Sequence, residues 1–108
     1  MATTYKVLAQ TNPSATTLTD SYTVPAATSA VISSIVVCNR GAATSCRISV
    51  AKAGAANDNR QYIAYDSAIA ANTSVPYQLG VTLAATDVIR VYATLATLTF
   101  NIFGVELT

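Results

Sequence analysis

The chain has 108 residues, a net charge of +1 and neither histidine nor tryptophan; 52% of its residues are hydrophobic and 10% charged. That length builds one domain with a modest core, and that charge balance excludes the basic stripe by which proteins neutralise nucleic-acid phosphates. Groups that titrate or bind metal, which catalysis and metal centres require, are scarce.

The opening MATTYKVLAQ lacks the basic and apolar regions of a signal peptide. No apolar run approaches the length of a membrane-spanning helix. A soluble product made in a cytoplasm is expected. From there, strand-like runs separated by turn signals recur along the chain, as in an all-β sandwich or barrel.

The first run covers residues 5–9. The second, 18–24, sets Leu18, Tyr22 and Val24 on one face and Thr19, Ser21 and Thr23 on the other. Pro25 ends it, because proline cannot donate to a sheet ladder. The third, 30–39, is the candidate central strand. Its stretch Ile35-Val36-Val37-Cys38 is apolar on both faces, as in a strand covered on both sides, although Ser33 and Ser34 interrupt the run earlier. Asn39-Arg40-Gly41 supplies a turn.

In the fourth run, 46–51, Cys46, Ile48 and Val50 oppose Arg47, Ser49 and Ala51. The polar loop 52–61 follows and holds Asn57, Asp58, Asn59 and Arg60. It is the candidate recognition loop, since loops carry function on rigid scaffolds. The fifth run, 62–65, places Tyr62 and Ala64 opposite Ile63 and Tyr65. The sixth, 73–79, contains Pro76, which marks an edge position or a bulge. Gly80 breaks the chain, and 83–87 forms a turn before the seventh run, 88–95, where Ile89, Val91 and Ala93 oppose Arg90, Tyr92 and Thr94.

The last run, 98–107, shifts phase. Leu98, Phe100 and Ile102 share one face, while Phe103, Val105 and Leu107 continue on the other. Either a bulge lies near Ile102 and Phe103, or both faces are covered, the second by another subunit. No segment carries a helical stripe.

Candidate sites are few. Asp20, Asp58, Asp66, Asp87 and Glu106 fall in turns or near strand ends, and no spacing pairs two of them for general acid–base work. A serine or cysteine nucleophile has no histidine to activate it. The chain reads as a non-enzyme with no catalytic, metal or cofactor residues. Cys38 and Cys46 flank a turn-like stretch; they form a cross-strand disulfide if their runs make a hairpin, and are otherwise two small buried thiols. The six tyrosines suit interfaces or sugar stacking, and equally the half-buried positions that strands favour. Arg47 and Arg90 face solvent or fix the register of a subunit contact. The acceptor pattern Asn72-Thr73-Ser74 carries no weight without a secretion signal. The mean hydropathy of +0.42 reflects either exposed apolar patches that meet partners or the alanine content.

Four segments, LTDSYTVPA, ISSIVVCN, DVIRVYA and the closing GVE, resemble the strand grammar of small β-sandwich virion proteins of tailed bacteriophages. The resemblance covers nearly the whole chain. It implies a two-sheet antiparallel sandwich of jelly-roll type, often trimeric, used on the head, neck or tail fibres. It carries over no catalytic residue, and it does not require the Cys38/Cys46 pair.

The resulting expectation is an all-β, jelly-roll-like sandwich of about eight strands with almost no helix. Its implied role is a virion structural protein that decorates or cements the assembled particle. Its partners would be further copies of itself, with a trimer favoured, and the major capsid protein or other virion proteins; nucleic acid and membrane are not among them. Phe103, Val105, Leu107, Tyr92 and Arg90 are the candidate interface residues. The alternative is a tail-fibre or neck module that binds a host receptor or glycan through loop 52–61 with Tyr62 and Tyr65.

Overall fold

A computed structural model describes residues 2–108. The strands are β1 (Thr3–Thr11), β2 (Thr19–Thr23), β3 (Ser29–Asn39), β4 (Thr44–Ala51), β5 (Tyr62–Ile69), β6 (Ser74–Tyr77), β7 (Val81–Leu83), β8 (Val88–Ala93) and β9 (Leu98–Leu107). Two single-turn 3₁₀ segments, Lys52–Gly54 and Asn59–Gln61, lie between β4 and β5. No helix among the described residues is long and apolar enough to cross a membrane.

The strands form two antiparallel sheets. The first runs β1-β9-β3-β6, with β7 also paired to β3; the second runs β2-β8-β4-β5. Strand β6 pairs with Ile35–Cys38 and β7 with Ala30–Ile32, so the two are one edge strand broken near Gly80, where φ is +58°. Counted that way, the nine strands become eight. Read from the same side, the two sheet orders place β1 beside β2, β9 beside β8, β3 beside β4 and β6 beside β5. Consecutive strands that alternate between sheets in this nested order make a jelly roll.

The core follows from alternation. Ile35 and Val37 of β3, Ile48 of β4, Ile89 and Val91 of β8, and Leu98, Phe100 and Ile102 of β9 point between the sheets and are fully buried. Val24 joins them, and its backbone is tied to the 86–87 turn by two hydrogen bonds, from Val24 N–H to the Asp87 carbonyl and from Thr86 N–H to the Val24 carbonyl. This tie explains why TVPA sits where β2 ends.

Several expectations change. Strand β9 alternates from end to end without a bulge. The ladder irregularities lie instead in both neighbours, around Leu8 of β1 and Ser33 of β3, opposite Ile102 and Phe103. The phase shift arises because the inward positions beyond Ile102 are Gly104 and Glu106. Gly104 is required there: a Cβ would lie 2.3 Å from the Val31 carbonyl oxygen. Only one face of β3 meets the core; the outward Val36 and Cys38 are half-buried between β6 and β9. Residues 81–83 are strand, and Leu83, expected to open the turn 83–87, is its buried last residue.

The hairpin premise for the cysteines fails. Strands β3 and β4 belong to different sheets; Cys38 points outward from the first, Cys46 points into the core from the second, and both are free thiols.

Candidate functional site

The two outer faces of the sandwich differ. On the first sheet, β1, β9 and β3 run side by side, with Tyr5 opposite Val105, Val7 opposite Phe103, and Val31 opposite Val105. Directly opposed residues share a face. Tyr5, Val7, Val31, Phe103, Val105 and Leu107 therefore form one outward apolar stripe across three strands. Tyr5 is 80% exposed, and Val7 and Val31 are also exposed. The phase-shifted end of β9 supplies the middle of the stripe.

The second sheet presents outward Arg47, Ser49 and Ala51 of β4 beside Tyr92, Arg90 and Val88 of β8. Half of that face is roofed by loop 52–61, which leaves Ser49, Ala51 and Val88 buried beneath it. Arg90 holds the roof down. It donates to the Ala55 carbonyl at 2.8 Å and the Gly54 carbonyl at 3.3 Å, and pairs with Asp20 at 2.9 Å. Asp87 adds a tether by accepting from the Ala53 N–H at 2.9 Å. Asp58 accepts from the Arg60 N–H and pairs with its guanidinium, which together hold the Asp58 carboxyl below its ordinary range. The candidate recognition loop is thus exposed at Asn57, Asp58, Asn59 and Arg60 yet anchored at its base.

The unroofed half carries an aromatic cluster. The Arg47 guanidinium lies 4.3 Å from the Tyr65 ring and 4.7 Å from the Tyr92 ring, in cation–π range of both. Its Nε pairs with Asp66 at 2.7 Å, which raises the guanidinium's pKa. Tyr62 and Tyr65 stand 4.9 Å apart at 79°, edge to face. Simple alternation would put these two on opposite faces. A ladder irregularity at Ile63, between the pairings of Tyr62 with Ser49 and of Ala64 with Ile48, brings them together.

The five candidate interface residues therefore divide. Phe103, Val105 and Leu107 lie on the outer face of the first sheet, and Tyr92 and Arg90 on that of the second. Arg90 is a tether with a side chain only 13% exposed, and Arg47 is stacked between two rings. Neither is a free surface charge.

The open sides of the sandwich are closed by the remaining tyrosines. On the β1–β2 side, the Tyr22 hydroxyl donates across the sheets to Glu106 at 2.6 Å, and Lys6 pairs with the same carboxylate at 2.7 Å. These two contacts hold Glu106 below the usual carboxylate range, while burial and the carboxylate push Tyr22 up. On the β5–β6 side, the Tyr77 hydroxyl meets Ser67 and lies 3.8 Å from Cys46 Sγ. Burial pushes both the Tyr77 hydroxyl and the Cys46 thiol up.

Every acid is committed. Asp20, Asp58, Asp66 and Glu106 each pair with a basic side chain, and Asp87 caps backbone N–H groups. Asn39 is the structural residue that alternation could not reveal. It is buried at the end of β3, donates to the Ala42, Ile69 and Ala70 carbonyls, and accepts from the Gly41 N–H and the Thr97 hydroxyl.

Comparisons with protein-family models, curated proteins and solved structures return no match.

Proposed function

We propose that this chain is a non-enzymatic virion structural protein of a tailed phage, one that decorates or cements the assembled particle by associating with further copies of itself and with the capsid. The observation that carries the reading is the apolar stripe of Tyr5, Val7, Val31, Phe103, Val105 and Leu107. Contiguous exposed apolar surface on a small domain marks a contact with other protein. Burying it yields about 25 cal/mol per Å², and a lattice multiplies that gain through avidity. The motif resemblance supplies the virion context. The titratable side chains support it too, being spent on ion pairs, caps and cross-sheet hydrogen bonds. Closed threefold symmetry would cover the stripe and the β1 edge together.

The test combines the solution mass of the purified chain with its copy number on purified particles. A trimer in solution, with lattice-wide copy numbers, is the expected result. Val105 is the centre of the stripe, so Val105→Asp should yield a folded monomer that no longer joins particles. A monomeric wild type absent from particles would sink the proposal.

A further inference from the structure

Tyr65 is 56% exposed, yet its ring is held. Arg47 lies 4.3 Å from its centroid, and the Tyr62 ring meets it at 4.9 Å, nearly at a right angle. Arg47 is itself fixed by Asp66 and by Tyr92 on β8. The Tyr62 hydroxyl accepts from the Asn57 amide at 3.0 Å, so the second ring is tied to the loop. Between these rings and Asn59 lies a shallow depression of about 350 Å³. The Asn59 side chain makes no hydrogen bond among the described residues and lines this hollow with a free amide.

Two features distinguish this arrangement from tyrosines scattered on a sheet. The chain departs from regular pairing at Ile63 and so brings Tyr62 and Tyr65 to the same side. Irregularities of this kind re-aim side chains. The nearby charges are also neutralised in place, Arg47 by Asp66 and Arg60 by Asp58. An ordered aromatic corner, a free carboxamide and no surplus charge suit a ligand with apolar C–H faces and a rim of neutral hydroxyls. Because rings and loop are fixed beforehand, little ordering cost falls on binding.

We propose that the hollow between Asn59, Tyr62 and Tyr65 is a binding subsite for a neutral hexopyranose. The sugar's apolar face packs in the aromatic corner, and Asn59 hydrogen-bonds its hydroxyls. This site lies on the sheet opposite the apolar stripe and does not depend on the virion reading.

The experiment is an NMR titration of the full chain with glucose, galactose, mannose and N-acetylglucosamine, with sialic acid as the charged comparison. Saturable shifts at the Asn59 side-chain amide and the Tyr62 and Tyr65 rings are expected with at least one neutral sugar. Tyr65→Ala should raise its Kd by about tenfold, the equivalent of about 1.4 kcal/mol, while Gln10→Ala, on β1 of the other sheet, should leave it unchanged. No saturable shift with any neutral sugar would overturn the proposal. So would shifts that survive Tyr65→Ala, or stronger binding of sialic acid than of every neutral sugar.

Discussion

Glu106 is the residue on which pH acts most directly. Lys6 and the Tyr22 hydroxyl hold its carboxyl below the usual range in the folded chain, whereas an unfolded glutamate titrates at about 4.3. A carboxyl with a lowered folded pKa binds more protons in the unfolded state, so its stabilisation is full above that unfolded value. It is lost as the pH falls through the folded one. Glu106→Gln should therefore cost about 1.5–3 kcal/mol at neutral pH, the range for hydrogen bonds to a charged group. It should also flatten the decline in stability below about pH 4. Urea unfolding across that range checks both, and a decline as steep in the variant as in the wild type would exclude Glu106 as its source. The closing GVE was visible in the sequence, but its physics was not: alternation cannot distinguish a buried, paired glutamate from a solvated one at a strand end. Asn39 was hidden for the same reason, since its five contacts come from three separate segments.

Among the elements, alternation was most legible in strands whose inward slots all hold apolar side chains, even beside an irregular neighbour. The faces of β4 and β8 follow from period two, and the edge position of Pro76 and the end of β2 before Pro25 follow from proline's missing N–H. It failed where an inward slot holds a small or charged residue, as with Gly104 and Glu106 in β9. It also failed in β5, where the irregularity at Ile63 puts Tyr62 and Tyr65 on one face. Loop 52–61 was recognised by its polarity, but its anchorage was not, because Arg90 lies far along the chain. Removing that anchor gives a prediction at this scale. Arg90→Ala leaves the Gly54 and Ala55 carbonyls and Asp20 without their shared donor, and should cost about 2 kcal/mol. The loop itself should loosen further, with faster amide exchange at Ala53 and readier proteolysis across residues 52–61. Unchanged exchange at Ala53 would mean that Asp87 alone secures the loop.

At the scale of the molecule, the sandwich has two unlike faces, and that difference sets an orientation. One face offers Tyr5 among apolar side chains; the other offers Tyr65 beside an anchored polar loop. If the apolar stripe is the contact surface, an attached copy buries Tyr5 and presents Tyr65 outward. Tyrosine nitration reads this directly. In the free chain, Tyr5 at 80% and Tyr65 at 56% exposure should both react. Tyr22 and Tyr77 should resist, since each is held across the sheets and burial keeps its hydroxyl protonated. In assembled particles, Tyr5 should become protected while Tyr65 stays reactive. Protection of Tyr65 with Tyr5 still reactive would reverse the orientation, making the aromatic face the attachment surface. Because the two cross-sheet tyrosines resist in both states, they report unfolding, and protection can be assigned to contact alone.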